Sequence, residues 1–144
     1  MRLTIEQTLH RIGRMLSERI APDVSHEFVA QSARLSGGAL NICANWIDDA
    51  AELRVEENAA IRAVLGEIAG VADGDLAARL GEAAASADPG LKLSVLDAEN
   101  DLLRQLLVEA QGWLEAQDSP AAHALNAKVW GLLEEIESKR APRE

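Results

Sequence analysis

Apolar residues in this chain recur every three or four positions rather than in alternation. Ile5, Leu9, Ile12, Leu16 and Ile20 make one such stripe, the spacing of a helix with a single buried face. The interruptions are helix punctuation. Ala21-Pro22-Asp23, Gly37-Gly38, Asp73-Gly74-Asp75, Asp88-Pro89-Gly90 and Asp118-Ser119-Pro120 cut the chain into stretches of helical length. The pattern predicts a first helix over 4–20 and a second over 24–36, with Phe28 and Leu35 one heptad apart. A third runs on to about 69, and a short, weakly apolar one covers 76–87. A fifth starts at Leu91 or Val95 and ends near 117, and a last covers 120–140. Gly37-Gly38 either ends the second helix or bends a longer one.

Capping residues support these bounds. Pro22 cannot continue the first helix, and Asp23 or Ser25 is placed to cap the second. Ser94 and Asp97 resemble a capping box with Asp in place of Glu. Ser119 followed by Pro120 opens the last helix, and Lys139-Arg140 suit the negative end of its dipole. Alanine, leucine and glutamate dominate and tyrosine is absent, which favours helix over strand. The expected fold is all-α: a single-domain bundle of five or six helices over 1–141, with a frayed tail at 142–144.

Composition narrows the function classes. A chain of 144 residues with 48% hydrophobic content is large enough to bury a core and too apolar to be disordered. The lone Cys43 excludes a disulfide framework. No apolar run is long enough for a transmembrane helix or signal peptide. Fourteen Lys and Arg against 24 Asp and Glu give a net charge of −10, which argues against nucleic-acid binding because phosphate contacts need a positive surface. The composition is that of a small bacterial accessory protein, and a cytoplasmic location is expected.

One pattern stands above composition. Glu57-Asn58-x-x-Ile61-Arg62-x-Val64-Leu65-x-Glu67 recurs without a gap, 42 residues later, as Glu99-Asn100-x-x-Leu103-Arg104-x-Leu106-Leu107-x-Glu109. Residues 75–80 and 120–125 echo each other more loosely, so the two halves read as two helical hairpins related by a pseudo-twofold axis. In each copy the glutamate lies on the apolar face. Glu57 shares its face with Ile61, Val64 and Ile68, and backward with Leu53, Trp46 and Ile42. Asn58 with Arg62, and Asn100 with Arg104, flank that face at i, i+4 and are placed to bond along it.

A carboxylate in an apolar seam must be paired or charge-neutral. The plain reading pairs Glu57 and Glu99 with arginine, Arg19 of the first helix being a candidate partner. The sharper reading has the two glutamates meet across the pseudo-twofold and share a proton or a metal.

Other chemistry has little support. The Glu-x-x-His pairs of carboxylate metal bundles are absent, and Asp23-x-x-His26 reads as a cap. His10 and His123 read as solvated residues, and Asp73-Gly74-Asp75 as a turn rather than a calcium loop. No phosphate-binding glycine motif or nucleophile–base pairing is visible. Cys43 reads as a core thiol, and Trp46, Trp113 and Trp130 as core residues unless one is exposed. The first helix is basic through Arg2, Arg11, Arg14 and Arg19 against Glu6 and Glu18, and the third is acidic through Asp48, Asp49, Glu52, Glu56 and Glu57, so these two helices are expected to dock. The third helix is also apolar on two sides, which marks it as central or as an oligomer interface.

These readings converge on a non-enzymatic helical interaction or accessory module that self-associates, with Ile42, Trp46 and Leu53 as candidate interface and no cofactor. The alternative is a binder of a small apolar ligand beside Glu57, Asn58, Arg62, Glu99, Asn100 and Arg104. A metal site at Glu57 and Glu99 is the third reading.

Overall fold

Thr4 sets the first helix: its side chain accepts from the Gln7 amide while the Gln7 side chain returns to the Thr4 amide, a capping box. In the computed structural model, which describes residues 3–141, helix α1 runs Ile5–Arg14 and continues through a wider π-helical stretch, Met15–Ile20, into a short turn Ala21–Asp23. The remaining helices are α2 (Glu27–Ile47), α3 (Ala50–Ala69), α4 (Gly74–Ala85), α5 (Leu93–Glu115) and α6 (Pro120–Arg140). The fold is all-α, with no strand among the described residues. None of these helices is long and apolar enough to cross a membrane.

Two boundaries differ from the sequence expectation. Gly37-Gly38 neither ends nor divides a helix, because α2 passes through both residues. The break falls instead at the turn Asp48-Asp49. The expected caps at Asp23, Ser25 and Ser94 are also not used. His26 and Lys92 occupy the cap positions of α2 and α5 without a side-chain cap bond, and Asp97 turns outward to Arg54 at 2.7 Å. Ser119 does cap α6, accepting from the Ala122 amide at 3.2 Å, with Pro120 at the first helical position.

The described chain gathers into two compact units that meet in sequence at residues 50 and 51. The expected frayed tail at 142–144 lies outside the described residues. The first unit is a helical hairpin, α1 with its π-helical extension against α2. Its buried residues are all small: Gly13, Ala21, Ala30, Gly37 and Ala44. A Cβ on Gly13 would lie 2.6 Å from Asn41 Oδ1 and 2.8 Å from the Gly37 carbonyl oxygen. Backbone is therefore in contact with backbone, and only glycine fits there. The π-helical stretch maintains this seam. Its i→i+5 bonds put more than four residues in each turn, so Gly13, Ser17 and Ala21, at four-residue spacing, stay in line.

The second unit has a core of large residues. Ile61, Leu65 and Ile68 of α3, Leu80 of α4, Leu107 and Leu114 of α5, and Val129 and Ile136 of α6 form one cluster. Ion pairs give the helix directions. Arg54–Asp97 and Glu57–Asn100 ascend together on α3 and α5, so these helices run parallel. Lys128–Glu67 and Lys139–Glu56 run in opposite senses on α6 and α3, so α6 is antiparallel. This is an up-down-up-down four-helix arrangement.

Candidate functional site

The repeated residues meet in the second unit, at the apolar core's polar end. Asn58 and Asn100 are both buried, and Asn100 Nδ2 donates to Asn58 Oδ1 at 2.9 Å. On either side the charges exchange partners. Arg104 Nε donates to Glu57 Oε1 at 3.0 Å, and Arg62 Nη2 donates to Glu99 Oε1 at 2.8 Å. A shift of 42 residues turns one of these pairs into the other. The two copies are thus related by a pseudo-twofold axis through the asparagine pair.

The carboxylates do not meet; the asparagines do. Each glutamate is taken by the arginine of the opposite copy, as the plain reading of the sequence has it, but Arg19 takes no part. Asn58 and Arg62 also do not bond along their helix. Asn58 Nδ2 donates to Asp88 Oδ1 at 3.0 Å and to the Leu96 carbonyl at 3.3 Å. Arg62 reaches Ser86 Oγ at 3.0 Å and Asp88 Oδ1 at 2.8 Å. Both side chains find their partners across the bundle.

Outside the repeat the site is asymmetric. Glu57 also accepts from Arg54 Nη1 at 2.9 Å and from Arg140 Nη2 at 2.9 Å, so three guanidinium groups converge on one buried carboxylate. Burial alone would raise the Glu57 pKa; hydrogen bonds from Asn100, Arg140 and Arg104 outweigh it and hold the carboxyl below its ordinary value of 4.5. The crowding of cations leaves Arg104 Nη2 as the one buried side-chain nitrogen or oxygen among the described residues without a hydrogen-bond partner. Arg54, Ser86, Asp88 and Arg140 were not legible as members of this network. Asp88 reads as a turn residue and Arg140 as a dipole partner, and only the packing of four helices brings them to the repeat.

An open groove of about 40 Å³ lies beside Glu57, floored by Leu53, Ala60, Leu132 and Ile136 and edged by Lys139 and Arg140. Small-molecule sites usually take about 300–1,000 Å³. No group of three or more His, Cys, Asp or Glu suited to a metal occurs among the described residues.

The candidate interface residues are divided between the units. Ile42 and Trp46 are exposed on α2, whereas Leu53 is half-buried on α3 and borders the groove. The turn at Asp48-Asp49 ends the face that an unbroken helix would have shared among them. Trp130 is exposed, and Trp113 alone of the three tryptophans packs on the core. Cys43 is exposed rather than buried, because the seam of α2 follows Ala30, Gly37 and Ala44. His10 is half-buried, its Nδ1 3.2 Å from Asn41 Oδ1. Arg11, Arg14 and Arg19 stay exposed, and no ion pair joins α1 to α2 among the described residues; Arg2 lies outside the described residues. Within the hairpin α1 meets α2 through glycine contact.

No family model, curated protein or solved structure matches this chain.

Proposed function

We propose that this protein is a non-enzymatic helical interaction module that self-associates, with the N-terminal hairpin as contact element and residues 51–141 as its stable carrier. One observation carries the reading. The hairpin buries only small residues, while Ile5, Phe28 and Leu35 are 67%, 75% and 66% exposed and Trp46 is 42% exposed. Large apolar side chains left exposed beside so small a core mark contact surfaces. The second unit differs in having a core of large side chains and central polar groups tied in ion pairs, although Leu91, Leu102, Val108 and Trp130 are exposed there.

The ligand reading has less support, because the groove beside Glu57 is far smaller than a small-molecule site. The metal reading needs two carboxylates to converge, and arginines separate them. The acidic charge supports a partner other than nucleic acid, and a single exposed thiol suits a reducing, cytosolic bacterial setting. Native mass spectrometry tests the reading. Multiples of 15.5 kDa with no added mass are expected; a monomer retaining a metal or small molecule at every concentration overturns it.

A further inference from the structure

The hairpin carries two apolar faces of different breadth. About 90° around α1 from the Gly13–Ser17–Ala21 seam run Ile5, Leu9, Ile12, Leu16 and Ile20. By the same rotation on the antiparallel α2, Val29, Leu40 and Ile47 fall on that side too. The second face belongs to α2 alone and consists of Phe28, Leu35, Ile42 and Trp46.

We infer that a second copy of this chain docks on the face shared by α1 and α2, closing a four-helix bundle from two hairpins. The inference rests on the reading of the hairpin as contact element and names its occupant. Three observations support it. The first is area. Helix α2 has 21 residues, about 30 Å at about 1.5 Å per residue, and two helices side by side are about 20 Å across. The face is then about 600 Å² per copy and about 1,200 Å² in the pair, which reaches the range of specific interfaces.

The second is the missing core. A hairpin whose interior holds only glycine and alanine gains little from burial, and a second hairpin on this face would cover the isoleucines and leucines that its own partner helix leaves out. The third is charge. Residues 3–50 carry four arginines against six acids, whereas residues 51–141 carry eight cations against seventeen acids. Two copies of a strongly acidic chain repel least where the charge is lowest, and the shared face has Arg19 as the charged residue nearest its apolar stripe.

Sedimentation equilibrium of the full chain from low to high micromolar concentration tests this. The expected mass is that of two chains. Ile12→Glu should weaken association by about a hundredfold or more, since a glutamate buried unpaired at the interface costs several factors of ten. Ile5→Glu should act in the same direction; Ile5 is already exposed in the hairpin, so its substitution leaves the single chain folded. Leu35→Glu, on the other face, should leave the dimer intact. A dimer broken by Leu35→Glu and untouched by Ile12→Glu and Ile5→Glu overturns the assigned face. A single chain at every concentration overturns the inference, and hydroxyl-radical labelling of side chains on that sample then separates it from the reading beneath. Strong labelling of Ile5, Ile12 and Ile20 leaves the hairpin as contact element for a different protein. Protection of these side chains means the face is covered within the chain, and both fail.

Discussion

Glu57 concentrates the residue-scale physics of this protein. It is 8% exposed and meets three guanidinium groups, so removing its charge leaves cations crowded with nothing between them. Glu57→Gln should destabilise residues 51–141 by about 3 kcal/mol, at the low end for a broken buried pair because the arginines retain some solvent. Arg140→Ala should cost less, about 1 kcal/mol, since Arg54 and Arg104 still hold the carboxylate; urea unfolding of the two variants checks the order. Acid should act through the same group. The folded-state pKa of Glu57 is depressed, so its contribution is complete above the ordinary carboxylate value of 4.5 and is lost as pH falls below that value. The melting temperature of residues 51–141 should therefore drop below about pH 4.5 in the native chain, and Glu57→Gln should flatten part of that drop. The motif itself was plain in the sequence, since a glutamate on an apolar face needs a partner. The partner's identity was not, because Arg104 and Arg140 lie 47 and 83 residues away.

At the scale of elements, the hairpin depends on two glycines that a propensity reading treats as a break. Each costs about 1 kcal/mol relative to alanine inside a helix, and a pair is a reasonable place to end one. The tertiary contact reverses that judgement at Gly37: a Cβ there would meet Ser17 Oγ and sit 2.6 Å from the Gly13 carbonyl oxygen. Gly37→Ala should thus destabilise the hairpin by about 1–3 kcal/mol, whereas Gly38→Ala, which meets nothing within 4 Å, should stabilise α2 by about 0.5–1 kcal/mol. Helicity measured against temperature for the two variants separates these signs. The same contact explains the π-helical stretch. The sequence shows apolar and small residues both drifting to four-residue spacing after Gly13, but helix periodicity alone absorbs that drift as noise. Only a neighbouring helix against which the small residues must stay in line turns it into a wider turn.

At the scale of the whole molecule, the division of charge bears on association. If two copies meet through the nearly neutral hairpin while their acidic carriers repel, added salt screens the repulsion. The dimer should then tighten as sodium chloride rises from low to physiological concentration; weakening over that range would mean that ion pairs hold the interface. What the sequence determined by itself is local. Helix content, the cap at Ser119, the existence of the repeat and the need of its glutamates for cationic partners all follow from spacing and from the cost of burying charge. What only the tertiary structure decided is which surfaces meet. Asparagine rather than glutamate lies on the pseudo-twofold, the turn Asp48-Asp49 separates α2 from α3, and the isoleucine stripe of α1 faces outward while its glycine faces in. Side-chain periodicity shows that a face will be covered and is silent about what covers it. In this hairpin the closest approach of two backbones, a property of the pair of helices and not of either alone, settled that question in favour of the smallest residues.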